Sequence, residues 1–320
     1  MKAAIYTKYG SPEVLEVKEV EKPTPKSDEV LIQVYAATVN RTDTGFRSAK
    51  YFVSRMVTGL IKPRRIIGGS EFAGKVVEVG RDVTSFKPGD KVFGFEDVRS
   101  GAHAEYMAQR ADGAVAKMPD GFSYQELAPA GEGATYAISD IRAAGVSKGQ
   151  KVMVYGATGA IGSAAVQILK HIGAEVTAVC GTKNTELVKS LGADNIIDYE
   201  TEDFTATPDR FDFIFDAVGK TSYGACKKLL NQTGKYCSTE LGPHGQNPPL
   251  ALWFALTGSR KVIFPIPRIN KEKIEYIKQL IEAGAYKPVI DRTYPLDELV
   301  EASKYVESGQ KVGNVVVKVI

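Results

Sequence analysis

The sequence predicts an α/β protein of two domains, one β-rich and one built on a doubly wound parallel sheet. Three observations carry this. The chain has 320 residues, too many for one ordinary core. Up to about residue 118 it is strand-like and punctuated by turns. From Lys151 it alternates strand, helix and strand with short links, which requires right-handed crossovers and a parallel sheet.

The elements follow in order. Ala3 to Tyr6 is strand-like. Val30 to Ala36 and Phe72 to Gly80 read as strands, and Lys87-Pro88-Gly89-Asp90 is a turn into a strand at Lys91 to Phe95. Ala104 to Ala108 is one more strand. Tyr124 to Ala144 is alanine-rich and helix-compatible, with breaks at Pro129 and Gly131 to Gly133. Strands are expected at Lys151 to Tyr155, Glu175 to Cys180, Asn195 to Ile197, Phe211 to Phe215 and Lys235 to Ser238. Helices are expected at Ala160 to Ile172, Thr185 to Leu191 and Tyr223 to Leu230. Leu241 to Pro267 interrupts the alternation, being rich in proline and glycine. Helices at Lys271 to Ala283 and Leu296 to Glu307 and a strand at Asn314 to Val319 close the chain.

Composition is that of a globular protein, 43% hydrophobic and 25% charged. With 41 basic and 38 acidic residues the charge is nearly balanced, and no block of like charges argues for nucleic acid or an anionic membrane. Lys62, Arg64 and Arg65 form a short basic cluster, read as a solvated loop or as a wall attracting an anionic ligand. Cys180, Cys226 and Cys237 show no CxxC pairing, so reduced, buried thiols are expected. No signal-peptide pattern is present, and the longest apolar run, Leu250 to Leu256, is too short to span a bilayer. The expectation is a cytoplasmic protein.

The turn Tyr155-Gly156-Ala157-Thr158-Gly159-Ala160-Ile161-Gly162 joins a strand to a helix. It has one residue more than the usual GxGxxG, but the physics is the same. Glycine permits the tight turn and removes side chains that would bar a diphosphate. The helix N-terminus offers unpaired N–H groups and a positive dipole end. Inside a βαβ unit this is a dinucleotide-binding, Rossmann-type turn. A cofactor with a free ribose 2′-hydroxyl usually meets an Asp or Glu at the end of the second strand. Here that end reads Cys180-Gly181-Thr182-Lys183-Asn184, without a carboxylate until Glu186. Gly181 leaves room, Thr182 can donate a hydrogen bond and Lys183 brings a cation. The expected cofactor is NADPH.

Gly69-Ser70-Glu71-Phe72-Ala73-Gly74, Phe86-Lys87-Pro88-Gly89-Asp90, Gly101-Ala102-His103-Ala104-Glu105-Tyr106 and Leu191-Gly192-Ala193-Asp194 join this turn in one pattern. Over nearly its full length the chain resembles the medium-chain dehydrogenase/reductase superfamily, most closely its zinc-free quinone oxidoreductase branch. The resemblance implies a GroES-like β-rich catalytic domain at 1–120 and 290–320 and a Rossmann NADPH-binding domain at 121–289. Zinc alcohol dehydrogenases of this superfamily place a metal-binding cysteine where this chain has Asn40 and a histidine where it has Ser70. Neither substitute is a plausible zinc ligand, and the β-rich domain has no cysteine, so no metal is expected. His103, His171 and His244 fit structural roles.

By the same resemblance, Asn40 lies beside the nicotinamide and Tyr51 lines the substrate cleft, where it donates a proton or only forms a wall. A second tyrosine of the relatives is replaced by Gly45. Thr135 matches a threonine near the nicotinamide and diphosphate, Tyr199 a tyrosine reaching the adenosine phosphate, and Asn314 a residue beside the cofactor. Without zinc there is no Lewis acid for a simple ketone, whereas quinones and conjugated enones delocalise the developing charge. The expected function is therefore hydride transfer from NADPH to quinones or α,β-unsaturated carbonyls, as small-molecule substrates. Enoyl-thioester reduction and a cofactor-binding sensor with little catalysis are the alternatives. Trp253 and Phe254 mark a substrate rim, a subunit contact or core. The apolar strand near Val262 to Phe264 is expected to pair with its twin in a homodimer.

Overall fold

The computed structural model describes residues 1–49, 52–96 and 99–320, without the side chains of Phe52, Val53 and Val57. The chain forms two compact units. The first holds Met1–Glu132, Ile269–Ala283 and Pro288–Ile320, and the second holds Gly133–Arg268 and Gly284–Lys287. The helix Lys271–Glu282 thus groups with the first unit, although the sequence boundaries assign it to the second. Its contacts account for this. It packs on the strand Val115–Lys117, and the Lys271 ammonium donates to the Val115 carbonyl and sits 4.4 Å from the Phe86 ring centre.

In the first unit, the eleven-residue strand Glu29–Val39 is the axis of a seven-stranded sheet. It pairs antiparallel with Glu71–Val79, Tyr106–Arg110 and Asn314–Lys318. Val30, Ile32, Val34 and Ala37 alternate with Leu31 and Ala36, and all are buried. The strand is therefore covered on both faces, which is why it reads as a continuous apolar run rather than an alternating one. Lys2–Ile5 pairs separately with Glu16–Glu19.

The second unit is a six-stranded, all-parallel sheet. Its order is Asn195–Asp198, Glu175–Cys180, Lys151–Tyr155, Phe211–Asp216, Leu230–Ser238 and Val262–Ile263. The chain starts at Lys151–Tyr155, runs outward on one side, then crosses back to Phe211–Asp216 and runs outward on the other. The carboxyl ends of Lys151–Tyr155 and Phe211–Asp216 flank this reversal, the place where open α/β sheets bind ligands. The segment expected to be irregular contains the helix Asn247–Leu256, with Pro248 and Pro249 in its first turn. Proline is tolerated there because those N–H groups have no partner in a helix anyway.

Candidate functional site

The glycine turn follows the strand Lys151–Tyr155. Gly156 has φ +76°, and a Cβ there would come within 2.6 Å of the Val218 side chain. A Cβ on Gly162 would run into the Gly156 carbonyl oxygen, so the helix Ala160–Ile172 starts in contact with the turn. Gly159 caps that helix in an extended conformation and no side chain covers its first N–H groups. Gly133 brings the helix Glu132–Ala144 against the same place, because a Cβ there would meet the Ala160 carbonyl at 2.6 Å. Two residues on, Thr135 holds a buried hydroxyl with no hydrogen-bond partner. A glycine cradle and an orphaned hydroxyl on one unit fit a bound dinucleotide.

Asp216, at the end of Phe211–Asp216, is buried and organises the loop over the turn. It accepts from the backbone of Val218 (3.2 Å), Gly219 (2.8 Å) and Thr221 (3.2 Å) and from the hydroxyls of Tyr236 and Ser238 (both 3.3 Å). Sequence reasoning missed it. Its signal was a carboxylate directly after the apolar run Phe213-Ile214-Phe215, at the end of the strand.

At the adenosine edge the sequence reading needs correction. The Thr182 hydroxyl donates its one proton to Asp198 at 2.5 Å, and Glu200 lies 3.1 Å from the same oxygen as an alternative acceptor. Glu200 Oε1 would lie 2.6 Å, and the Tyr199 hydroxyl 3.0 Å, from a Cβ on Gly181. The edge is therefore not free of carboxylates. They come from the neighbouring strand, whose Asp198 lies opposite Cys180 in register. Lys183 is exposed and pairs with none of the described carboxylates. Burial, with Asp198 and Glu200 adding to it, pushes the Cys180 thiol up to about 11. All three cysteines are free and buried.

The first unit carries the other candidates. Asn40 caps the helix Arg41–Ser48 with a reciprocal capping box. Its side-chain oxygen accepts from Asp43 N (3.1 Å), and Asp43 accepts from Asn40 N (3.0 Å). Its amide nitrogen donates to the Ser70 hydroxyl at 3.2 Å. Beside it lies a buried carboxylate group. Glu71 accepts from the Thr38 hydroxyl (2.7 Å) and from Glu132 N (2.6 Å), and Glu132 accepts from Thr42. Burial raises Asp43 to about 6. Burial raises Glu71 to about 7, with the charge of Asp43 adding to it, and burial raises Glu132, with the charges of Glu71 and Asp43 adding to it, so this pair holds a proton well above the ordinary carboxylate range. Asn314 is buried at the start of its strand and donates to the Val289 carbonyl at 2.9 Å. His103 hydrogen-bonds the Thr38 carbonyl at 2.7 Å, and burial holds it down to about 4, so it stays neutral. Tyr51 lies outside the described residues.

The structure thus brings Thr135, Gly156 to Gly162, Gly181, Thr182 and Tyr199 onto one unit, and Asn40 and Asn314 onto the other. Such a pair of units, one with a parallel sheet and a spaced-glycine turn, defines a nicotinamide-dinucleotide oxidoreductase. Residues 26–120 match the family model described as alcohol dehydrogenase GroES-like domain, and residues 191–317 match zinc-binding dehydrogenase. A 2-methylene-furan-3-one reductase of Solanum lycopersicum is 33% identical over 99% of this chain and 79% of its own. An NADPH-dependent alkenal/one oxidoreductase of Arabidopsis thaliana, a chloroplastic protein, is 30% identical over the same shares. The quinone oxidoreductase of Coxiella burnetii superposes with a TM-score of 0.88 at 27% identity, over 100% of this chain and 99% of its own. A mycobacterial protein complexed with NADPH does so at 0.82 and 27%, over 100% of both. The chain belongs to the medium-chain dehydrogenase/reductase superfamily, in its quinone oxidoreductase-like branch.

The cytoplasmic expectation is corrected. Relatives that carry a compartment in their names are chloroplastic or mitochondrial. The expectation rested on a missing signal-peptide pattern, which names no compartment. Among the described residues no helix is long and apolar enough to cross a membrane.

The zinc implied by one family description does not fit these residues. Asn40 and Ser70 bond to each other, Glu71 accepts from Thr38 and Glu132 N, and no three His, Cys, Asp or Glu among the described residues are grouped to hold an ion.

Proposed function

We propose that this protein works without a metal ion. It is an NADPH-dependent reductase of α,β-unsaturated carbonyls and quinones. The observation that carries the metal-free reading is the Asn40–Ser70 hydrogen bond, made between two residues that are not zinc ligands.

NADPH, when bound, supplies the hydride. The second unit is the Rossmann domain that holds it. Gly156, Ala157, Thr158 and Gly159 would hold the diphosphate through the turn, and Ala160, Ile161 and Gly162 would offer it the N–H groups of the helix N-terminus. Thr135 offers its free hydroxyl, and Gly181, Thr182, Lys183 and Tyr199 take the adenosine end. The first unit is the GroES-like catalytic domain. Asn40, fixed by its cap and by Ser70, and Asn314 are the residues of this unit that the family pattern assigns to the nicotinamide. Tyr51 donates the proton or walls the pocket while solvent donates it. A conjugated acceptor suits this chemistry, since its negative charge moves onto an oxygen that a donor can stabilise.

NADPH oxidation against quinones, short enones, 2-alkenals and enoyl thioesters tests the reading. Turnover confined to enoyl thioesters would move the protein to that class. Tight NADPH binding without turnover on any acceptor would make it a sensor.

The protein acts as a homodimer in this reading. Val262–Ile263 is an edge strand, paired among the described residues only with Leu230–Ser238. Beside it Trp253 is 63% exposed, whereas Phe254 packs edge-on against Tyr223 at 5.3 Å. An apolar edge next to an exposed Trp supports pairing with a second copy. A monomeric mass at micromolar concentration would rule it out.

A further inference from the structure

The overall charge gives no reason to expect a membrane, but the local charge does. From Thr44 to Ser70 the sequence has six basic residues and no acidic one, within a chain of 41 basic and 38 acidic residues; of the six, Arg47 is buried and paired with Glu307. The helix Phe52–Thr58 leads into the loop Gly59–Ile66. Its base is tied down. The Tyr9 hydroxyl donates to the Gly59 carbonyl (2.6 Å), Arg64 N to Thr58 O (2.8 Å) and Tyr6 N to Ile66 O (2.8 Å). Its tip is apolar and turned outward, with Ile61 91% and Leu60 59% exposed. Lys62, Arg64 and Arg65 follow the tip in sequence, are exposed, and form no ion pair with any described residue, although Arg65 donates to the Arg99 carbonyl at 3.3 Å. The loop cannot fold its apolar tip inward without breaking those ties.

We propose that the loop Gly59–Ile66 docks the protein on an anionic lipid bilayer, with Leu60 and Ile61 entering the interface and Lys62, Arg64 and Arg65 meeting headgroup phosphates. Adjacent exposed aliphatic side chains followed by three cations with no carboxylate partner among the described residues suit the headgroup–acyl boundary. Nucleic acid is a poorer occupant, because the loop has no aromatic side chain on which a base could stack. An acidic protein would satisfy the cations but leave the aliphatic tip without a role. Docking also gives the reductase access to acceptors that dissolve in lipid, a consequence that rests on the reading above. The binding test does not, because it involves no turnover.

The test is co-sedimentation of the full chain with vesicles of phosphatidylcholine alone and with about 30% phosphatidylglycerol, at about 50 mM salt. The expected result is at least tenfold tighter binding to the anionic vesicles, weakened by added salt. Ile61→Asp and the double change Lys62→Glu/Arg65→Glu each lower it about tenfold or more. Thermal midpoint and NADPH affinity, measured alongside, report folding. The proposal is overturned by absence of binding, by equal binding to both vesicles, by variants that bind like the unchanged protein, or by binding to polyglutamate but not to vesicles.

Discussion

The Thr182 hydroxyl donates to the Asp198 carboxylate at 2.5 Å, across two neighbouring parallel strands. This bond joins a residue assigned to a 2′-phosphate with a carboxylate that would repel one. Glu200, 3.1 Å from the same hydroxyl, adds a second negative charge, and Lys183 opposes both. In the proposed reading, cofactor choice rests on this balance rather than on Lys183 alone.

Lys183→Ala therefore weakens NADPH binding about tenfold while leaving NADH nearly unchanged, and Glu200→Gln shifts the ratio of the two dissociation constants toward NADPH. Fluorescence titration with each cofactor measures this. A ratio unmoved by both changes would show that this edge does not choose the cofactor. Glu200 is exposed, so neither folding nor core packing complicates the comparison.

Gly162→Ala places a methyl group against the Gly156 carbonyl, which is backbone and cannot rotate away. The helix Ala160–Ile172 must shift, at a cost of about 1–3 kcal/mol in stability. Dinucleotide affinity falls with it, because the N–H groups no longer aim at the diphosphate. Chemical denaturation and NADPH titration read the two effects separately. Full retention of both would mean that the turn does not hold the cofactor.

Thr135→Val separates binding from folding. The hydroxyl is buried without a partner, so replacing it with a methyl group leaves the cofactor-free protein as stable or more stable, by up to about 1–2 kcal/mol. NADPH binding nonetheless weakens, about tenfold, if the hydroxyl is held ready for the cofactor. Unchanged binding would assign Thr135 a packing role only.

The Glu71–Glu132 pair makes stability depend on pH. Both carboxyls titrate above their ordinary value of 4.5 in the folded protein, chiefly through burial. Between that value and neutrality the folded state binds more protons than the unfolded one, so stability is highest at low pH and is lost as pH rises. His103, held down to about 4, works in the opposite direction between about 4 and its ordinary 6.5. Glu71→Gln cannot ionise. Its thermal midpoint, compared with that of the unchanged protein, improves from pH 5 to pH 8. A difference independent of pH would show that the pair is not buried as charge.

Much of the second unit was readable from local pattern. Lys151–Tyr155, Ala160–Ile172 and Glu175–Cys180 fall where apolar runs, the glycine turn and Gly173 put them. The helix Asn247–Leu256 was not, because two prolines look like a break unless they are known to occupy a first turn. Its faces are also not segregated, with Leu252, Trp253 and Leu256 exposed, so no helical stripe marks it. At the site, the glycines were legible because their chemistry is local. Asp198 and Glu200 were not, because their approach to Thr182 depends on strand register rather than on spacing along the chain. The Glu71–Glu132 pair brings together residues 61 positions apart. Asn40 was noticed for its place in a family pattern, while its capping box with Asp43 was present in the sequence three residues on.

The measurement that bears most directly on the central claim is NADPH oxidation by protein treated with a strong chelator, with a short enone and a quinone as acceptors. Metal-free hydride transfer predicts turnover with at least one acceptor, unchanged by the chelator and by added zinc. Activity that disappears on chelation and returns with zinc, or no oxidation with either acceptor, would contradict it.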